Sequence, residues 1–307
     1  MADNVKSCTC NDPPYDIQPV LEDCFDVATR ITWDGENNAL YFVDVPNSKV
    51  FRYNTEKEEL KSVQLGDEPL AFVFPVAGTT TDFVVGMGRK VAMVTWKGAA
   101  DDDGTCKCTD DPDAAEEPPT IDVVAEVDGD LGKTENRLNG GKVDSSGRLW
   151  AGTMGPEDKA EEKLGSLYSV SGKSVRKHMC SIGISNGIAF SQCGCWMYYI
   201  DSSFNGIYKF KFDEKEGDIA NREVIFEFEK NEIPGSPDGM TIDSEGKLWI
   251  ACIYGSKVIQ IDPNTGEVLN NIDLPTSQPT SLCFGGPDLD ILYVCRFTLL
   301  RFLCLFF

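Results

Sequence analysis

Residues 136–154, NRLNGGKVDSSGRLWAGTM, decide the fold. Arg137 and Asn139 stand just before Gly140-Gly141, and a Ser-Ser-Gly turn follows at 145–147. A second run of apolar character, 148–153, comes directly after the turn. Short runs separated by a tight turn are typical of paired β-strands. The stretch therefore predicts two neighbouring antiparallel strands, with polar recognition groups at the start of the first.

The same pattern recurs along the chain. Each copy has a turn, an apolar strand and, in most cases, a further strand, and successive copies are roughly 45–65 residues apart. The apolar strands start at residues 40, 82, 149, 197, 248 and 292. Repeats of this length, without a long amphipathic helix, are typical of propellers built from four-stranded blades. The predicted fold class is all-β, a six-bladed β-propeller.

The last copy looks incomplete. After Tyr293 only CRFTLLRFLCLFF remains, which is apolar but shorter than the ~20 residues of a membrane span. We therefore expect a sixth blade that is truncated at the C-terminus. The predicted organisation is a disordered tail at 1–17, a propeller at 18–294 with an acidic loop insertion at 98–119, and an atypical apolar tail at 295–307.

Charge and cysteine content limit the partners. The chain has 50 Asp and Glu against 28 Lys and Arg, a formal charge of −22, which argues against nucleic acid or an anionic membrane as a partner. The N-terminus lacks the apolar core of a signal peptide, so a cytoplasmic location is expected. We also expect a monomer. Twelve cysteines either stay reduced or include a bridge from Cys8/Cys10 to Cys106/Cys108.

Polar residues stand before a glycine at the start of three repeats. They are Asn139, Asn186 and Asp238. In a propeller the first strand of every blade lines the central channel, so these side chains should converge there. Amide and carboxylate oxygens suit a hard divalent cation. His178 is the single histidine and lies between repeats, which disfavours a Ser-His-Asp or Cys-His catalyst.

Several long motifs resemble one known family. The segments NRLN-G-GKVD, ISNGIAFS, PDGMTID and TSLCFGGPDLD, in this order, are similar to the regucalcin (senescence marker protein), gluconolactonase and luciferin-regenerating enzyme family, most of all to insect regucalcin-like members. The resemblance implies one divalent metal in the channel of a six-bladed propeller. It implies that Asn186 and Asp238 are metal ligands, that Asp238 is also the acid/base, and that Arg137, Asn139 and Glu157 contact substrate.

Two positions depart from the family pattern. The family has a Glu as its first metal ligand, four residues before a Trp, and counting back from Trp33 places Thr29 there. Arg30, next to it, would place a guanidinium near the channel, and neither Glu22 nor Asp26 is in register to replace the missing carboxylate. The second departure is Gly140, where the family usually has Asp.

The resemblance implies a metal-dependent hydrolase of sugar lactones, similar to gluconolactonase. The metal, which is zinc, calcium, manganese or magnesium, would polarise the lactone carbonyl while Asp238 moves the proton. The alternatives are a calcium-binding regulatory protein of the regucalcin type without turnover, a luciferin-regenerating type of enzyme, and an inactive truncated isoform.

Overall fold

The computed structural model describes residues 15–21, 25–100, 117–129, 133–297 and 302–306. These residues form β-strands and two short 3-10 helices, Lys97–Ala99 and Glu157–Glu162. The first thirteen strands are β1 (Asp16–Leu21), β2 (Ala28–Asp34), β3 (Ala39–Asp44), β4 (Lys49–Asn54), β5 (Glu59–Gln64), β6 (Leu70–Pro75), β7 (Asp82–Met87), β8 (Lys90–Thr95), β9 (Thr120–Glu126), β10 (Arg137–Val143), β11 (Leu149–Met154), β12 (Gly165–Ser171) and β13 (Ser174–Ile182). The remaining strands are β14 (Ser185–Phe190), β15 (Trp196–Asp201), β16 (Gly206–Asp213), β17 (Asp218–Glu227), β18 (Ser236–Ile242), β19 (Leu248–Ile253), β20 (Lys257–Ile261), β21 (Val268–Asp273), β22 (Pro279–Gly285), β23 (Ile291–Arg296) and β24 (Phe302–Phe306).

Consecutive strands pair to form five antiparallel blades, β2–β5, β6–β9, β10–β13, β14–β17 and β18–β21. β1 belongs to none of these blades. The first strand of each blade contacts the first strand of the next, and β22 contacts both β18 and β2. The contacts therefore close a ring around a central channel. An all-β propeller is confirmed.

A further sheet is shared by the two ends of the chain. Its strand order is β1-β24-β23-β22, so β1, from the start of the chain, forms its outer edge. β24 pairs antiparallel with both β1 and β23. The predicted six-bladed propeller with a truncated sixth blade is therefore wrong: five blades are built from consecutive strands, and the last sheet is a complete composite of both ends. The sequence pattern missed this because β1 lies far from β22 along the chain.

Turns between strands are held by aspartates that recur in the repeats. Asp144 Oδ1 accepts hydrogen bonds from the backbone N–H groups of Ser146 and Arg148, and its Oδ2 accepts one from Trp150 Nε1 at 2.9 Å. Asp243 and Trp249 make the same pair, also at 2.9 Å. The aspartate thus shapes the turn and fixes the following strand to it, which explains why the pattern Asp, turn, Gly, Leu-Trp is repeated.

The hydrophobic core lies between the sheets. The described part of the chain contains six clusters of buried apolar side chains, and each cluster joins residues of two neighbouring sheets. The cluster between the first blade and the composite sheet contains Phe25, Phe42, Tyr293 and Cys295. Burial of these side chains fixes each sheet against the next, and this packing holds the inner strands in place.

Parts of the predicted organisation fall outside the described residues. These include most of the 1–17 tail, the centre of the 98–119 insertion, Glu22, and the cysteines of the proposed bridge, Cys8, Cys10, Cys106 and Cys108. Six cysteines among the described residues are free thiols. No helix in the described ranges has the length and apolar character required to cross a lipid bilayer.

Candidate functional site

Each inner strand of the ring is interrupted by a β-bulge. In β10 the register shifts between Leu138 and Gly141, which leaves Asn139 and Gly140 opposite a single residue of β11. Corresponding shifts occur in β14 around Asn186 and in β18 around Asp238. A bulge locally re-aims the side chain that it carries. The three oxygen-bearing residues named from the sequence therefore occupy the same position in their strands.

The bulge in β2 carries Arg30. Its register shifts between Thr29 and Thr32, so Arg30 takes the position that Asn139, Asn186 and Asp238 hold in their strands. Thr29 is buried and pairs regularly with Val43 of β3. The structure thus places Arg30, rather than Thr29, among the residues that converge on the channel.

The Arg30 guanidinium lies between the other three residues. Its Nε donates to the backbone carbonyl of Asn139 at 3.2 Å, and Nη2 donates to Asn186 Oδ1. Its Nη1 lies 3.4 Å from Asp238 Oδ1. The side chains of Arg30 and Asp238 are only 9% and 11% exposed. The guanidinium therefore connects β2 to β10, β14 and β18 at the centre of the ring.

Hydrogen bonds hold the two asparagines in position. Asn139 Nδ2 donates to Asn186 Oδ1 at 3.0 Å and to the Ser185 carbonyl at 2.8 Å. Asn186 Nδ2 donates to Ser202 Oγ at 2.6 Å, and Ser202 donates in turn to the Pro237 carbonyl at 2.5 Å. These bonds leave the amide oxygen of Asn186 directed at Arg30. Ser202 was not found from the sequence, since a serine in a turn carries no distinctive pattern.

Arg137 and Glu157 lie at one end of the channel, which we call the mouth. Arg137 Nη1 donates to Asn139 Oδ1 at 2.9 Å and to the Leu138 carbonyl at 3.2 Å. Its Nη2 lies 3.5 Å from Glu157 Oε1, and the Arg137 and Glu157 side chains are 22% and 82% exposed. The structure therefore brings together Arg137, Asn139 and Glu157, the three residues predicted to contact substrate.

Burial dominates the electrostatics of the site. It raises the pKa of Asp238 to about 6, although the neighbouring Arg30 guanidinium acts in the opposite direction. Burial also lowers the pKa of Arg30 and of Arg137, and the carboxylates of Asp238 and Glu157 oppose these two shifts. A guanidinium nevertheless keeps its charge in proteins. The centre of the channel thus holds a buried ion pair.

A small cavity lies on the other side of Arg30 from the mouth. Its volume is about 40 Å³, and it is lined by residues that follow the bulges, among them Lys142, Ile188 and Met240. Burial lowers the pKa of Lys142. This space accommodates water but not a sugar-sized ligand, since ligand pockets measure about 300–1,000 Å³. Lys142 was not identified from the sequence, because a lysine in a strand usually faces solvent.

The residues present do not fit a divalent metal ion. The oxygens that would coordinate it, Asn186 Oδ1 and Asp238 Oδ1, are both occupied by the Arg30 guanidinium. A bound divalent cation needs several oxygens at about 2.0–2.6 Å, and a fixed positive charge at the same place opposes it. The described residues include no group of three or more His, Cys, Asp or Glu side chains that could hold a metal.

Other residues considered from the sequence lie away from this centre. Asp26 accepts a hydrogen bond from Asn47 at 2.8 Å, and this contact is exposed. His178 belongs to the outermost strand β13, where its ring stacks on Trp150 and its Nε2 lies 2.8 Å from Ser169 Oγ. Gly140 lies within β10 rather than in a turn, and a Cβ there would lie 2.1 Å from the Asn186 backbone oxygen.

Comparison with known proteins assigns the family. Residues 27–297 match the model described as the SMP-30/Gluconolactonase/LRE-like region. The chain belongs to this family. Among its relatives in the SMP-30/gluconolactonase/LRE-like family is regucalcin of Gallus gallus, which is 35% identical over 282 residues, 91% of this chain and 85% of that protein. Regucalcin of Sus scrofa is 37% identical over the same lengths. The family predicted from the motifs is thereby confirmed.

Solved structures of the family have a similar fold. A luciferin-regenerating enzyme superposes with a TM-score of 0.83 at 31% identity, over 95% of both chains. A calcium-binding protein, regucalcin, from Agrobacterium tumefaciens superposes with a TM-score of 0.79 at 22% identity, over 95% of this chain and 93% of that one. At this lower identity the likeness concerns the fold alone.

Proposed function

We propose that this chain binds a small, oxygen-rich ligand of the sugar-lactone or hydroxy-acid class at the mouth of its channel, without metal-dependent turnover. The observation that carries the proposal is the position of Arg30, which engages both Asn186 and Asp238. These are the residues that a metal-dependent lactone hydrolase of this family would use according to the sequence. The proposal shares the lack of turnover with the alternative of a calcium-binding regulatory protein of the regucalcin type, but it does not include calcium binding at this centre, because Arg30 engages the oxygens that calcium would need.

The mouth offers complementary groups for such a ligand. Arg137 is held by Asn139 and by the Leu138 carbonyl, which fixes the orientation of its guanidinium. A guanidinium held in this way donates hydrogen bonds to carboxylate or carbonyl oxygens, and the exposed Glu157 carboxylate accepts them from hydroxyl groups. The 40 Å³ space beyond Arg30 is too small for the ligand, so binding is assigned to the Arg137 and Glu157 side.

Binding and turnover are tested separately. Isothermal titration of EDTA-treated protein with gluconate and gluconolactone should show binding, and Arg137→Ala should weaken it by about 10–100-fold, since a hydrogen bond to a charged group contributes about 1.5–3 kcal/mol. Arg176→Ala is the matched control, because Arg176 pairs with Asp218 on outer strands. Affinity that is absent, or equal in the wild type and Arg137→Ala, would refute this assignment of the site.

The second candidate is the metal-dependent lactone hydrolase. It is supported by family membership and by the convergence of Asn186 and Asp238 on one point, with the pKa of Asp238 raised to about 6 by burial. The two candidate functions are distinguished by measuring acid release from gluconolactone in a pH-stat, with zinc, manganese or calcium added. The spontaneous rate of hydrolysis is subtracted. Metal-stimulated release that Asp238→Ala abolishes would establish the hydrolase and overturn our proposal.

A further inference from the structure

Four inner strands each place one bulge residue toward the centre of the channel. Three of these residues carry side-chain oxygens, and the fourth, in β2, is Arg30. The bulge pattern is the same in β2, β10, β14 and β18: two residues lie opposite one, and the first of the two faces the channel centre. Three of these residues, Asn139, Asn186 and Asp238, present acceptor oxygens through their side chain or backbone to the fourth.

We propose that Arg30 is a built-in cation, which takes the place of the divalent metal predicted for this channel and makes the site independent of metal. This inference holds whichever ligand the mouth binds. It assigns to Arg30 a positioning role, because the guanidinium holds the Asn186 and Asp238 side chains and does not lie at the mouth where ligand binding is assigned.

The directions of the hydrogen bonds support this assignment. The guanidinium is a planar fork with five N–H donors, and here Nε, Nη1 and Nη2 are directed at three different strands. A metal ion would draw the same oxygens toward a point from several sides. Arg30 thus satisfies, with hydrogen bonds, acceptors that would otherwise need a cation.

The charges at the centre match as well. Among the residues that the structure describes, Asp238 is the one carboxylate that contacts Arg30, and the Asn139 carbonyl and the Asn186 amide oxygen are neutral. One guanidinium balances one carboxylate, whereas a divalent ion there would keep an excess positive charge. Ligand charge count is a main determinant of divalent-cation affinity. The side-chain set is therefore better suited to a singly charged cation.

The backbone at Arg30 adopts a conformation that an arginine residue does not favour by itself. Its φ is +58°, in the left-handed region where glycine is favoured. The other three bulge residues, Asn139, Asn186 and Asp238, do not have positive φ. The Arg30→Gly substitution therefore removes the guanidinium while suiting the backbone, and it is the variant of choice for a test.

The test measures calcium and manganese binding by titration calorimetry and by the change in Tm, on full-length protein freed of metal with EDTA. A formal charge of −22 favours weak, nonspecific cation binding at the surface, so the wild type is compared with Asp238→Asn. Equal metal binding by these two proteins is expected. Arg30→Gly should acquire one metal site per chain, with Tm rising by about 3 °C at ten times the dissociation constant, and Arg30→Gly/Asp238→Asn should lose that site.

Two results would overturn the inference. One is a single metal site in the wild type that Asp238→Asn removes. The other is a folded Arg30→Gly protein that gains no metal site, because the oxygens would then not form a cation position. If Asp238→Asn does not fold, Asn186→Ala replaces it in the comparison with the wild type. Binding of gluconate and gluconolactone is titrated with the same proteins. A failure of the proposed ligand assignment is thereby distinguished from a failure of the proposed role of Arg30.

Discussion

Removing one member of the buried Arg30–Asp238 pair should destabilise the protein strongly, whereas removing both should not. Asp238→Asn leaves a guanidinium with a side chain 9% exposed and without its counterion. Breaking a buried ion pair on one side costs about 3–5 kcal/mol, while replacing both partners is often close to neutral. At the low end of about 2–4 °C per kcal/mol for large domains, we expect Asp238→Asn to lower Tm by about 6–10 °C.

The assay is a double-mutant cycle of Asp238→Asn and Arg30→Met, measured by urea unfolding and by Tm in EDTA. Met is close to Arg in length and carries no charge. Because each single substitution should cost about 3–5 kcal/mol and the double substitution close to none, the coupling between them should be larger than about 3 kcal/mol. Glu68→Gln is the control, since Glu68 pairs with Lys90 at the surface, where both side chains are more than a third exposed, and it should cost less than about 1 kcal/mol. Additive effects within about 0.5 kcal/mol would show that Arg30 and Asp238 do not interact in solution.

Three further predictions concern other parts of the molecule. Burial lowers the pKa of His178 from 6.5 to about 4, so the NMR signals of this single histidine should begin to titrate only below about pH 5 in the folded protein and near pH 6.5 in urea. Because the unfolded state then binds the proton at higher pH, the free energy of unfolding should fall as the pH is lowered from about 6.5 to 4. An ordinary pKa in the folded protein would contradict the burial of the His178 ring. Gly140→Ala should lower the free energy of unfolding by about 1–3 kcal/mol, because its Cβ would lie 2.1 Å from the Asn186 backbone oxygen. Gly129→Ala is the control and should have little effect, because the space around Gly129 is open. Equal Tm values for the two variants would argue against close contact of β10 and β14. Deleting residues 302–307 removes β24 and exposes the edges of β1 and β23, so size-exclusion chromatography should show aggregation. An unchanged monomer peak with unchanged Tm would refute the pairing of β24 with β1 and β23.

The repeat pattern was sufficient to predict the propeller and its inner strands. Each blade is built from consecutive strands, so the order of turns and apolar runs along the chain corresponds to the order in space. Asn139, Asn186 and Asp238 could be found for the same reason, since each precedes a glycine at an equivalent place in a repeat. The composite sheet could not be found in this way, because β1 and β24 pair across the whole length of the chain.

The sequence by itself determined the family and the all-β propeller class, and it pointed to Asn139, Asn186 and Asp238, because these depend on local patterning repeated at a regular interval. Which residue of β2 joins that set was decided only by the tertiary structure. Counting from Trp33 indicated Thr29, but the bulge in β2 and the left-handed backbone at Arg30 bring the guanidinium to the centre instead. A bulge changes the direction of a side chain without changing the number of residues before a motif, so spacing alone cannot reveal it.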